Sequence, residues 1–457
     1  MAAAIGGLVA CAVPEPGPQP VDPGVRGGAA GAGSALNGQT ADERAFFTDG
    51  QAQFVEAQVV TGGDNNGLGP RFNSNSCGSC HSQPAVGGTS PPNNPMTVIA
   101  TLNGARNVLP WFIASKGPVR EARFKFLPNG GNDGNVHALF VITGRSDAPG
   151  CNIAQPVFTP AGDPMTGKGG NPNVIFRIPT PVFGSGLIEA IPDSVILANL
   201  VANAAEKETM GIRGHPNAIL SGNINRSGND GTITRFGWKA QNKSLLLFAA
   251  EAYNVEMGVT SQVFPQERDE TPSCLLNPTP EDTVHFTPDS SGGPAAVLGD
   301  IERFANFMRM LAPPAPAPDT PSTVSGRAIF ERVGCAHCHT PSMKTGKAIN
   351  SGSATNPSAA LSNQTVNLFS DLALHHMGTG LADGITQGAA GPDEFRTAPL
   401  WGAGQRVFFL HDGRTSNVVE AIAEHRGPGS EANGVVARFE RLPLQQKQDV
   451  IHFLRSL

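Results

Sequence analysis

A mainly α, loop-rich chain in two tandem units, the first carrying short β insertions, is the fold class this sequence predicts. Three observations carry that expectation. The pentapeptide Cys77-Gly78-Ser79-Cys80-His81 recurs as Cys335-Ala336-His337-Cys338-His339, so one chemical device is set up twice. Stretches with helix start signals or amphipathic spacing precede the second copy, follow the first and close the chain. Glycine (55) and proline (39) are abundant for 457 residues, well above the average share of roughly 12%. That composition implies long ordered loops wrapped on modest secondary structure.

The length exceeds what one small domain needs. The stiff run Pro313-Pro314-Ala315-Pro316-Ala317-Pro318 marks the expected boundary. The reading is a signal segment with a lipobox over 1–11, a Gly/Pro/Ala-rich flexible tether over 12–36 and a first unit over 37–312. A proline linker over 313–324 and a second unit over 325–457 follow. A net charge of -6, with charged residues at 15%, gives no basic patch, so no nucleic-acid partner is expected. No apolar run of 18 or more residues marks a membrane span.

Two cysteines three apart with a histidine next form the attachment signature of a c-type haem. The spacing lets both thiols bond the haem vinyl groups, and the histidine then sits beneath the iron as its proximal ligand. Zinc prefers four protein ligands with wider pair spacing. The two copies account for four of the seven cysteines. The expectation is therefore two tandem cytochrome c-like haem domains holding two covalently bound haem c groups. Cys77, Cys80, Cys335 and Cys338 attach them, and His81 and His339 ligate the irons.

Leu8-Val9-Ala10-Cys11 has the look of a lipobox, with Cys11 as a lipid-anchor site. The positively charged start of a signal is missing, and an ordinary cleaved signal is the alternative. Haem is joined to such motifs outside the bacterial cytoplasm, so the expected location is periplasmic. There Cys151 and Cys274 could close a long loop as a disulfide or remain two buried thiols.

In chain order, Thr40 to Val59 begins with a capping threonine and acidic residues, and reads as a helix before the first motif. Gly62 to Asn75 and Pro84 to Pro95 are loops on either side of that motif. Thr97 to Leu102, Ala122 to Phe126, His137 to Ile142 and Val174 to Ile178 read as short strands. A loop from Thr180 runs into a short helix, and Pro192-Asp193 starts another, to about Glu206. Arg235 to Gly258 reads as a long helix, and Asp300 to Leu311 as one more. Ser325 to Val333 delivers the second motif, and Leu442 to Leu457 has the amphipathic spacing of a closing helix. A faint repeat pairs Phe236-Gly237-Trp238, which leads a helix, with Phe409-Leu410-His411, which leads a similar one over Asn417 to His425.

Five stretches together carry a family resemblance: FNSNSCGSCHSQPAVGG, VFGSGLIEAIPD, RFGWKAQNKSLLLFAAEAYNVEMG, SDLALHHMG and APLWGAGQRVFFLHDGRTSNVVEAIAEH. Over about residues 40–457 the chain resembles the bacterial dihaem cytochrome c peroxidase superfamily, and within it the di-haem oxidoreductases. The resemblance implies that His81 holds the N-terminal haem, where H2O2 or O2 is met. His339 then holds the C-terminal haem, which passes electrons. Counting from the HDG turn as in the peroxidase relatives, from His411, places the distal ligand of that haem at His425. A bis-histidine haem follows, with a lower potential than a thioether ligand would give. Met343, Met377, His375 and His376 are the rival ligands.

Trp238 matches the tryptophan that relays electrons between the haems of relatives, with Trp401 as runner-up; the ordinary role of such a ring is core packing. Glu256 matches the distal glutamate that takes a proton from one peroxide oxygen and delivers it to the other. Glu189 is the competing carboxylate, and a solvated or helix-capping glutamate is the ordinary alternative for either. The implied function is a peroxidase fed by a small periplasmic electron donor, a cytochrome c or cupredoxin. Whether Ca2+ sits between the haems is left open. Two alternatives stand beside it: a dihaem oxygenase or oxidase of an organic substrate, and a non-catalytic electron-transfer cytochrome. The first would need an apolar channel, for which Phe183, Leu187, Ile188 and Phe236 are candidates. His137 is the histidine to watch as a sixth ligand of the first haem, although a satisfied strand histidine is its simpler reading.

Overall fold

The computed structural model describes residues 19–158, 173–218, 232–284, 297–347 and 358–457. The expected signal segment and Cys11 lie outside the described residues. The fold is helix-rich with short strands. Among the described residues no helix is long and apolar enough to cross a membrane.

Two crossed helix pairs frame the molecule. The Ala41–Val55 helix starts at Thr40, whose side chain and that of Glu43 cap each other's backbone amides. It lies against the Asp300–Met310 helix, with Gly50 at the closest approach: a Cβ there would collide with the Arg303 carbonyl oxygen. The Pro321–Val333 helix, capped by Thr320 with proline in its first turn, crosses the closing Leu444–Ser456 helix in the same manner. Here Gly326 is the small residue, and a Cβ would strike the Asp449 carbonyl oxygen. Each pair seals its own apolar core. The first is built around Phe54, Phe72, Leu139, Tyr253 and Phe307. The second is built around Phe330, Val418, Phe439, Ile451 and Phe453.

The β insertions are small antiparallel sheets. The largest places Glu121–Phe124 between Val136–His137 and Val174–Arg177. Its register sets Glu121 opposite Arg177. Cys151 and Cys274 are joined as a disulfide, across 123 residues of sequence. Closing so long a loop removes entropy from the unfolded chain, by a model estimate of roughly 4–5 kcal/mol.

The faint sequence repeat is a structural one. Phe236 bridges to Asn242 and Phe409 to Thr415. Gly237 and Leu410, then Ala240 and Gly413, take positive φ at matching places (89° and 66°, 51° and 67°). Ser244 and Asn417, at the same distance along the chain, cap the Leu245–Met257 and Val418–Glu424 helices. In this register Trp238 corresponds to His411, and Ala252 to His425.

Several expectations need correction. Thr97 to Leu102 is not a strand but the Met96–Ile99 helix and a 3-10 turn, because the Asn94 side chain accepts from the Met96 amide and Pro95 starts the turn. The helix expected from Pro192 to Glu206 breaks at Asn203 (φ 57°) into Asp193–Val201 and Ala204–Met210. Residues 235–244 form the tight turn just described, so that helix begins only at Leu245.

The supposed tether is, from residue 19 onward, an ordered strap. Asp22 pairs with buried Arg455 at 2.7 Å and accepts from the Val418 amide. The Arg26 amide donates to the Gly404 carbonyl, and Leu36 to Met310. Extended Gly/Pro/Ala chain leaves backbone amides free, and here they are spent on neighbouring loops. The stiff proline run is bonded to its surroundings as well: the Ala315 amide donates to Gly31 and the Ala317 amide to Ser456. Met343, Leu361, Val366, Leu368 and Leu372 bury in the first core, although they follow the linker in sequence.

Candidate active site

The first motif forms the short helix Cys77–Cys80, and a cavity of about 1160 Å³ opens beside it. Cys77, Cys80 and His81 line it, with Phe54 and Phe304 and residues of the Leu245–Met257 helix. The Nδ1 of His81 lies 3.0 Å from the Gly88 carbonyl oxygen. A carbonyl only accepts, so Nδ1 carries the proton and Nε2 keeps its lone pair for a metal. Burial holds the imidazole below its ordinary pKa and hence neutral.

The same lining carries a buried polar group. Asn73 Nδ2 donates to Glu256 Oε2 at 2.8 Å, and the Glu256 carboxyl is hydrogen-bonded to that of Glu121. Burial first, and then the Glu121 charge, push Glu256 up to about 8. Burial opposes charge on Glu121 as well, but Arg123, 2.6 Å away, overrides it and holds that carboxyl low. The pair therefore divides into one proton carrier and one fixed charge. Arg177 also reaches this cavity and pairs with Asp383 at 2.6 Å. Ala252, one turn before Glu256, lines the same cavity.

The second cavity, of about 1470 Å³, contains Cys335, Cys338, His339 and His425. His339 Nδ1 is bonded to the Phe369 carbonyl at 3.1 Å and His425 Nδ1 to the Ala421 carbonyl at 2.6 Å. Both Nε2 atoms are thus unprotonated. The two ring centroids are 6.5 Å apart, with planes at 54°. Two imidazoles bonded at about 2.0–2.1 Å to opposite sides of one metal would place their centroids about 6.3 Å apart. The spacing fits a metal between them. Burial, then the neighbouring His425, lower His339 to about 4.

Burial raises Cys77 well above its ordinary range, Cys80 to about 11 and Cys335 to about 12, so these thiols are protonated before any group is attached.

Among the other expected residues, Trp238 is buried and lines both cavities, its Nε1 donating to the Ile178 carbonyl at 2.8 Å. Its edge meets the ring of its counterpart His411, with centroids 6.4 Å apart. Trp401 lies in a smaller cavity of about 480 Å³ alongside Trp238. Glu189 is not among the residues lining the first cavity. Its two oxygens are held by Arg309 Nε at 2.7 Å and the Leu245 amide at 2.8 Å, which makes it a helix-capping, ion-paired group.

His137 is bound to Asp133 at 2.7 Å on its strand. His375 is gripped by Asp371 and Glu431 through both nitrogens, and His376 is exposed against Asp393 and Glu394. Met343 is buried in the first core, and Met377 lines the second cavity. Phe183, Ile188 and Phe236 line the small Trp401 cavity, and Leu187 is core.

Sequence reasoning passed over Glu121, Arg123 and Arg177. A signal existed: Glu121 and Arg123 are two apart in a short strand, so both charges face one side, next to Ala122 on the other.

Residues 165–457 match the family model described as "Di-haem oxidoreductase, putative peroxidase". The chain belongs to this family. Members carry haem and act as oxidoreductases, and the two cavities are the places in this fold that fit the groups. No curated protein shows significant similarity to the chain.

Three solved structures are similar in part. A diheme peroxidase, BthA, from Burkholderia thailandensis is 16% identical with a TM-score of 0.29, over 49% of this chain and 65% of that one. A MauG-like protein associated with microbial copper homeostasis is 20% identical with a TM-score of 0.24, over 35% and 54%. A hydrazine synthase from Kuenenia stuttgartiensis is 22% identical with a TM-score of 0.22, over 35% and 55%. The chain thus spans less than two thirds of the length of each.

Proposed function

We propose that this protein is a periplasmic dihaem c-type peroxidase, built as two tandem cytochrome c-like domains, that reduces H2O2 in the first cavity with electrons arriving through the second. The observation that carries the reading is the inequality of the repeats. Where the second repeat presents His425 to His339, the first has Ala252 at the matching position in the cavity that His81 lines, with Glu256 one turn on. The second cavity offers two histidines to a bound haem and the first offers one, which would leave room there for a small oxidant.

Cys77 and Cys80, and Cys335 and Cys338, would attach the two groups by thioether bonds, and His81 and His339 would hold their irons. A bound haem iron supplies the electrons that cleave the peroxide bond. The chain's own residues supply the protons and the orientation. The Glu256 carboxylate takes the proton from the oxygen nearer the iron and returns it to the leaving oxygen, which departs as water. Glu121 and Arg123 set the charge of that pocket, and Asn73 fixes the Glu256 carboxyl in direction. Two electrons and two protons convert one H2O2 to two H2O. Trp238, in contact with both cavities, bridges the route between them.

Glu256, Glu121, Arg123 and Asn73, set in a lining that is otherwise mostly apolar, give a small hydrogen-bonding oxidant its partners. The Cys151–Cys274 disulfide supports an oxidising compartment, and the donor would be a small periplasmic cytochrome c or cupredoxin. The test is peroxide consumption by protein shown to carry two haems per chain, with a reduced cytochrome c or cupredoxin as donor. Turnover at two donor electrons per H2O2 supports the reading. Oxidised donor without peroxide loss, or no turnover, defeats it.

A further inference from the structure

Buried arginines among the described residues come with carboxylate partners. Arg123 has Glu121, Arg177 and Lys239 share Asp383, Arg145 has Asp147, Arg235 has Asp193 and Arg455 has Asp22. Arg396 and Arg406 do not follow the rule. They are 9% and 7% exposed, and among the described residues neither forms an ion pair. Arg396 donates through Nε to the Gly237 carbonyl at 3.0 Å, and its Nη1 is buried with no acceptor. Asp371, the carboxylate whose field reaches Arg396, is already bonded to His375 and to the Ala373 amide. Both guanidiniums line the second cavity and also the small cavity beside Trp238.

An isolated buried charge is costly, and native structures pair it or bind something to it. Burial alone lowers Arg406 to about 10, and burial together with the neighbouring Arg406 charge lowers Arg396 to about 10. Two adjacent uncompensated cations facing one cavity call for a ligand with two negative charges. Planar guanidinium forks match carboxylates in particular.

We infer that Arg396 and Arg406 form a dianion clamp that takes the two propionate carboxylates of the haem in the second cavity. The clamp neutralises both carboxylates inside the protein. It would also orient the bound group by its carboxylates, toward the wall that Arg396 and Arg406 share with Trp238. This rests on the reading that the second cavity holds a haem, and the test separates the two. Haem content is counted first: fewer than two haems per chain overturns the cavity assignment, and the clamp with it.

With two haems present, a crystal structure of the loaded protein is expected to show propionate oxygens within about 3.2 Å of both guanidiniums. Propionates directed to solvent, with Arg396 Nη1 still unpartnered, overturn the clamp alone. In solution, the second haem's reduction potential is followed against pH in loaded Arg396→Gln, Arg406→Gln and the double variant. The potential is expected to fall at alkaline pH and to acquire a pH dependence as a propionate titrates, most in the double variant. Arg→Lys at either position is expected to restore most of the native behaviour and serves if a Gln variant does not fold. Native, pH-independent potentials in the double variant overturn the clamp.

Discussion

The imidazoles of His339 and His425 stand 6.5 Å apart across the second cavity, each with Nδ1 tied to a carbonyl and Nε2 turned inward. Replacing His425 with Ala is expected to convert the second haem from low-spin six-coordinate to high-spin, visible in the optical spectrum without loss of haem. His425→Met is expected to raise the potential of that haem, since axial identity is a main lever on it. A low-spin spectrum in the Ala variant would hand the ligand role to Met377 or His375, the rival candidates on the cavity wall.

Glu256→Gln is expected to lower peroxide kcat/KM by about 10²–10⁴-fold, the usual contribution of a positioned acid–base group. Its carboxyl is raised to about 8 by burial and then by Glu121, so the base form grows as pH rises. The rate should climb with pH through a limb near that value. Glu121→Gln removes one raising influence and should move the limb to lower pH. The linkage to stability has a definite sign. The folded pKa lies above the ordinary 4.5, so stability from the protonated carboxyl is fully present below 4.5 and is lost as pH rises towards 8. A pH profile unmoved by Glu121→Gln would separate the two carboxyls functionally.

Trp238→Leu should leave both haems bound and their separate spectra native, but slow electron transfer between them in single-turnover mixing with peroxide. Trp401→Leu serves as the comparison, since Trp401 touches only the smaller cavity. Equal rates in the native protein and the Trp238 variant would assign the ring to packing.

Asp22→Ala should release the N-terminal strap. Breaking a buried ion pair leaves Arg455 uncompensated, at a cost of about 3 kcal/mol, read as a lower Tm. Burial opposes charge on Asp22, but Arg455 and the Val418 and Gly24 amides outweigh it and hold the pKa below 3.8. The contribution is therefore present above about pH 4 and lost as pH falls through the depressed value. The native and variant Tm curves should converge in strong acid; curves parallel at all pH values would exclude the charge as the cause.

Local signals made much of this molecule legible. The Thr40 cap, the paired motifs and the closing helix spacing each depend on a few neighbouring residues; the Thr320 cap, which starts the second-motif helix at Pro321 and not Ser325, was missed inside the expected proline linker. What stayed hidden depends on distant partners. Nothing near Asp22 announces Arg455, so a Gly/Pro-rich segment read as a tether when it is a strap. The strand-like Thr97–Leu102 stretch is helical because Asn94 and Pro95, just outside it, start a turn. Glu189 carried the right chemistry for the site, but Arg309 and Leu245 hold it elsewhere. Arg396 and Arg406 look like ordinary surface cations until their surroundings are known.

The most direct test is low-temperature electron paramagnetic resonance of the fully oxidised protein, with two haems per chain established on denatured, solvent-extracted chain. Covalent attachment predicts that both haems stay with the polypeptide after extraction. Unequal ligation predicts one high-spin and one low-spin ferric signal of equal intensity, with only the high-spin signal perturbed by a small exogenous ligand. Two low-spin signals that ignore added ligands would contradict the account and leave an electron carrier in place of a peroxidase.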